Sequence, residues 1–128
     1  EAKFPVIVYF HQGDFIFGTS RSDVLGPQYL LDRDIVLVAP QSRLGPLGYL
    51  SSGDEHAQGN FGLKDQAAAL RWVRENISNF GGNPNSVTIA GYGTGSTSVY
   101  LHMMSPLSKG IFAVVEYNFK FLNLQRKV

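Results

Sequence analysis

Cysteine is absent from this chain of 128 residues. Disulfides therefore play no part in it, and thiolate zinc sites are excluded. Charge is also sparse: 16% of residues are charged, the net charge is +1, and the charges are scattered with no basic stripe. A nucleic-acid-binding surface is not indicated by that pattern. No apolar run approaches the ~20 residues needed to span a bilayer. The histidines, His11, His56 and His102, lack metal-ligand spacing, so neither a metal site nor a cofactor is expected. Repeats, low-complexity stretches and linkers are missing too. What remains is a chain with 44% hydrophobic residues, enough for one domain with a buried sheet.

Hydrophobic patterning places that sheet. Pro5 to Phe10 reads as a strand, and Asp34 to Ala39 as a continuous apolar strand of the kind buried on both faces of a parallel sheet. Ser86 to Ala90 is a third, short and β-branched. Phe61 to Phe80 is the strongest helix, with Leu63, Ala67, Leu70, Val73 and Ile77 near a 3.6-residue period and Gly81-Gly82-Asn83-Pro84 ending it. A second helix runs from Ser96 to Met104 and stops at Ser105-Pro106, while Pro27 to Arg33 makes at most a short helix. Gly13 to Ser22 and Arg43 to Gly59 read as loops. The alternation of Tyr117, Phe119 and Phe121 with Asn118 and Lys120 suggests a further, half-buried strand. Strands separated by helices imply βαβ crossovers, hence an α/β fold with a mostly parallel sheet and flanking helices.

The most informative segment is Val87-Thr88-Ile89-Ala90-Gly91-Tyr92-Gly93-Thr94-Gly95-Ser96. It has the outline of a nucleophile elbow, G-x-S-x-G, directly after a strand. The motif needs small residues two before and two after the nucleophile, so that a strained strand-to-helix turn can pack closely. Gly91 and Gly95 fill those places, but the nucleophile position holds Gly93, which has no side chain. Thr94 is one position late and is expected to point elsewhere. Together with Ser96, Thr97 and Ser98 it reads as a helix-capping residue.

Four stretches in register resemble the type-B carboxylesterases, the family of the cholinesterases and insect juvenile-hormone-type esterases. They are Phe4-Pro-Val-Ile-Val-Tyr-Phe-His-Gln-Gly-Asp-Phe15; Ser42-Arg-Leu-Gly-Pro-Leu-Gly-Tyr-Leu-Ser-Ser-Gly-Asp54; Gly59-Asn-Phe-Gly-Leu-Lys-Asp-Gln66 with its continuation to Pro84; and the elbow itself. The resemblance covers residues 1–112 and leaves 113–128 as a divergent tail, the pattern a misjoined exon or retained intron would give. It implies an α/β-hydrolase fold of which this chain is a fragment. It also implies ester hydrolysis by a Ser-acid-His triad, with the serine mapping onto Gly93. The oxyanion donors map onto the backbone N–H groups of Gly13, Asp14 and Thr94. Gln12 and Asp14 replace two glycines of the family's H-G-G-G run, and the Asp14 carboxylate would oppose charge developing in a tetrahedral intermediate. The family's acid and histidine lie beyond this segment, and no residue here is assigned to either role. Its central strands lack edge-protecting charges and prolines, so the chain alone is expected to associate.

Other residues take plainer roles. His11 is expected to shape its loop, His56 to be solvated, Trp72 to join the core, and Asp65 to offset a helix dipole. Asn76-Ile77-Ser78 is a sequon compatible with secretion, and the resemblance also favours a secreted or extracellular setting. Function is then expected to be non-catalytic, by binding a small apolar ester or a cell-surface protein, or to be that of a truncated product. The alternative is a segment of a carboxylic ester hydrolase that transfers an acyl group to water.

Overall fold

The computed structural model describes residues 3–118. Four parallel strands form its sheet in the order β2-β1-β3-β4: β1 is Phe4–Phe10, β2 Val36–Val38, β3 Gly82–Tyr92 and β4 Val114–Asn118. The strands are linked by the short helices α1, Ser22–Leu25, and α2, Gly45–Tyr49, the long helix α3, Phe61–Asn76, and α4, Thr94–Met104. Single 3₁₀ turns at Pro27–Tyr29, Ile77–Phe80 and Pro106–Ser108 complete the connections.

The two central strands explain where the core lies. In β1 the alternate residues Val6, Val8 and Phe10 are buried while Ile7 and Tyr9 are half-buried. Val6 and Val8 stand in register with Val87 and Ile89 of β3, also buried, so one sheet face presents an unbroken apolar patch. Leu70 and Val73 of α3, Ile77 in the turn just after it and Val99 of α4 close over it, with Ile111 at the margin. Each of these aliphatic side chains contributes roughly 1.5–3 kcal/mol when fully buried. The stripe on α3 is the one its period requires, although Leu63 is only partly buried.

Several expectations need correcting. Asp34 to Ala39 is not a doubly buried strand: only Val36–Val38 pairs, at the sheet edge, and all three are half-buried. Arg43 to Gly59 is not all loop. Pro46 at the first turn favours α2, and Gly45, at φ +57, provides the bend into it. Likewise Gly13 to Ser22 ends in α1. β3 starts at Gly82 rather than Ser86, with its register shifting between Phe4 and Val6 of β1. Trp72 is not core. It is 46% exposed and packs at its edge on Phe80, 61% exposed, with ring centroids 5.6 Å apart. Asp65 is no dipole partner. It accepts from the Arg43 backbone N–H and pairs bidentately with its guanidinium at 2.8 Å, which holds the Asp65 carboxyl below the usual carboxylate range. The fourth strand lies at Val114–Asn118, and Phe119, Lys120 and Phe121 fall outside the described residues.

Candidate active site at the strand-to-helix turn

The turn between β3 and α4 sits beside the C-terminal end of β1. Gly91 and Gly95 bring the two segments together. A Cβ on Gly95 would lie 2.0 Å from the Phe10 carbonyl oxygen, and one on Gly91 would lie 2.4 Å from the Gly95 carbonyl carbon. Backbone atoms cannot withdraw from such contacts as a flexible side chain can, so only glycine fits. Gly93 is the apex, at φ +58 and ψ −122, a conformation that strains any residue with a side chain. A Cβ built there would be in ordinary contact with Gln12, 3.5 Å from its Cβ and its Oε1. The space beside the apex is therefore open to a side chain even though the backbone conformation disfavours one.

The loop after β1 faces this apex. Gly13, Asp14 and Phe15 all have positive φ, at +138°, +53° and +61°, and the Gly13 carbonyl accepts from the N–H groups of Ile16 and Phe17. That tight turn aims two successive backbone N–H groups the same way. Both donate to Thr94 Oγ1, Gly13 at 3.1 Å and Asp14 at 3.0 Å. Thr94 thus points into the site, contrary to the expectation that it would point elsewhere. It is not the N-cap of α4; that position is Gly93. Ser96 instead donates from Oγ to the Gly91 carbonyl at 2.7 Å, bracing the turn from beneath, and Ser98 is buried. The helix-capping reading of this Ser/Thr run fails because Gly93 is the N-cap and Thr94, Ser96, Thr97 and Ser98 all lie inside α4.

His11 does shape the loop. Its Nδ1 donates to the Gln12 carbonyl at 2.7 Å, which leaves Nε2 to accept from the Gln41 amide at 3.2 Å. Gln41 Oε1 in turn accepts from the Ser20 N–H at 3.0 Å, tying the β1 loop to the segment after β2. His56 is exposed in its own loop. Asp14 is exposed, and it is its N–H that meets Thr94.

Beneath the turn lies a buried polar cluster that the sequence reading did not identify. His102, 3% exposed, donates from Nε2 to Gln66 Oε1 at 3.0 Å and accepts at Nδ1 from the Ser108 hydroxyl at 2.8 Å. Its ring stacks on Phe10 at 5.3 Å. Burial pushes the imidazole down to about 4. One signal was available: Gln66 sits on the apolar stripe of α3, four residues before Leu70, where a polar residue needs a buried partner. Above this cluster, Phe10, Gly13, Phe15, Gln66, Thr94 and Ser98 line a cavity of about 10 Å³. That is room for roughly one water molecule. Among the described residues no group of acidic, histidine or cysteine side chains is placed to hold a metal ion, and no helix is long and apolar enough to cross a membrane.

Comparison with known proteins agrees with this geometry. The carboxylesterase family profile matches residues 1–115. The chain is 53% identical over 108 residues to juvenile hormone esterase of Tribolium castaneum, covering 84% of this chain and 18% of that protein. It is 52% identical over 112 residues to acylcarnitine hydrolase of Rattus norvegicus, covering 87% of this chain and 20% of that protein. The crystal structure of juvenile hormone esterase from Manduca sexta, with OTFP covalently attached, superposes with a TM-score of 0.86 at 35% identity. That match covers 90% of this chain and 22% of the other. The chain thus spans about a fifth of the length of these relatives.

Proposed function

Because this chain belongs to the carboxylesterase family and carries the sheet of the α/β-hydrolase fold, we propose that it is an esterase-fold segment that binds without cleaving. The observation that carries the reading is the apex of the turn. Gly93 holds the strained backbone of a nucleophile elbow, framed by Gly91 and Gly95, and offers no oxygen to attack a carbonyl carbon. In a serine hydrolase of unrelated fold but the same triad chemistry, losing the nucleophile alone lowers kcat by ~10⁶. What survives is the binding half of the chemistry. The N–H groups of Gly13 and Asp14, with that of Thr94 in the first turn of α4, suit a carbonyl oxygen. A small apolar ester is the ligand this arrangement favours, with a cell-surface protein as the other class of partner.

The relatives' names favour a second reading. Juvenile hormone esterase and acylcarnitine hydrolase are hydrolases, so the chain would be a segment of a carboxylic ester hydrolase in which another residue serves as nucleophile. Thr94 carries the aliphatic hydroxyl nearest the apex in sequence. Incubation with p-nitrophenyl butyrate separates the two. Background hydrolysis with no covalent mass increase is expected. An acyl adduct on any residue, or turnover abolished by Thr94→Ala, overturns the non-catalytic reading.

A further inference from the structure

We propose that Thr94 is a built-in occupant of the oxygen-binding site: its hydroxyl holds the backbone donors of Gly13 and Asp14 and so competes with a carbonyl ligand for them. This inference rests on the preceding reading of the turn. It adds a second lock, one that acts on binding rather than on bond cleavage.

The geometry carries it. Gly13 and Asp14 lie about 80 positions from Thr94 in the chain, yet both their N–H groups meet its single oxygen, at 3.1 and 3.0 Å. Successive N–H groups that converge on one point form a concavity suited to an oxygen bearing partial negative charge. The distances fall in the range expected between such donors and a substrate oxygen. The Thr94 hydroxyl is placed as that oxygen would be. The lining agrees: Thr94 is among the residues around the small cavity beside this point.

An intramolecular acceptor competes with any ligand for the same donors. Each neutral hydrogen bond contributes on the order of 1 kcal/mol net, so a hydroxyl that engages two should weaken ligand binding by roughly tenfold to a hundredfold. Thr94→Val keeps the branched shape and deletes the oxygen, while Thr94→Ser keeps the oxygen.

The test uses the whole chain, ¹⁵N-labelled, with ethyl butyrate as a neutral carbonyl probe. In the wild type and in Thr94→Ser, the Gly13 and Asp14 amide resonances should shift only weakly, at high ester concentration. In Thr94→Val both should move upfield, and the ester should then shift them with an affinity at least tenfold above the wild type. An equal response in wild type and Thr94→Val, or none in Thr94→Val, overturns the proposal. Should Thr94→Val not fold, amide exchange in the wild type decides: slowed exchange at Gly13 and Asp14 is expected, and exchange at the rate of an open loop refutes it. None of these readouts needs turnover. The chain can therefore fail as a non-catalytic protein while the lock stands, or the reverse.

Discussion

Lowering the pH from 6.5 toward 4 is expected to destabilise this fold through one group, His102. The imidazole is buried at 3% exposure, stacked on Phe10 and hydrogen-bonded at both nitrogens, to Gln66 and Ser108. Burial lowers its proton affinity to about 4, against ~6.5 for a histidine in an unfolded chain. Between those values the unfolded state binds a proton that the folded state does not. Stability therefore rises with pH through this window and falls as acid is added. At ~1.36 kcal/mol per unit, the loss is about 2 kcal/mol by pH 5 and about 3 kcal/mol once the window is crossed. The carboxylates of Asp65 and Asp54, both held below their usual range by hydrogen bonds, stabilise above that range and weaken only below about pH 4. Their contribution therefore does not overlap that of His102. Urea unfolding at intervals from pH 7.5 to 4.5 should show the free energy falling on this curve. His102→Gln should be less stable at neutral pH yet nearly flat across the same interval. An identical slope in the variant, or a His102 ring that titrates near 6.5 by NMR in the folded chain, would refute the reasoning.

Three further outcomes follow from the turn and the sheet. Gly95→Ala drives a Cβ to 2.0 Å from the Phe10 carbonyl oxygen, so it should cost about 3 kcal/mol or more and be visible as a lowered thermal midpoint. Gly93→Ser meets only ordinary contact with Gln12 and should fold, with a loss of about 1–3 kcal/mol for a side chain at positive φ, measured by the same melt; complete unfolding would contradict the open space beside the apex. The outer edges of β2 and β4 carry no strand partner among the described residues, so the chain alone should self-associate, and a monodisperse monomer in light scattering would count against exposed edges as the cause.

Much of this fold was legible because its signals are periodic. The stripe from Ala67 through Leu70 and Val73 to Ile77 located α3, and the β-branched run before Gly91 located the core of β3. Short elements escaped for the opposite reason. α2 has five residues and α1 four, too few to display a period, and Pro46 and the Gly pair around it read as loop chemistry. β2 was overextended because apolarity alone does not say how many residues find a partner. At the site, spacing points to Gly91, Gly93 and Gly95; Gly91 and Gly95 serve close backbone packing, and Gly93 takes the positive φ of the apex. It could not assign Thr94, because its partners are backbone N–H groups distant in the chain, which no side-chain pattern reports. Asp65 was misread likewise, since Arg43 lies in another element.

The turn shows why the architecture can outlast the chemistry. Its shape is fixed by contacts that a nucleophile does not make: the Gly91–Gly95 approach, the packing of Gly95 on the Phe10 carbonyl, and the Ser96 hydroxyl on Gly91. These tie the turn to β1, the strand at the centre of the buried core. Exchanging the apex residue disturbs none of them, and glycine relieves the positive-φ strain that a serine would bear. Selection for stability alone would thus hold the frame in place whether or not the apex reacts. The Gly13 and Asp14 donors differ. Gly13 is buried, and a buried N–H left without an acceptor is costly; Thr94 supplies the acceptor for it and also for the exposed Asp14 N–H. Preservation of the frame follows from packing; occupancy of the donors follows from hydrogen-bond satisfaction; neither requires turnover.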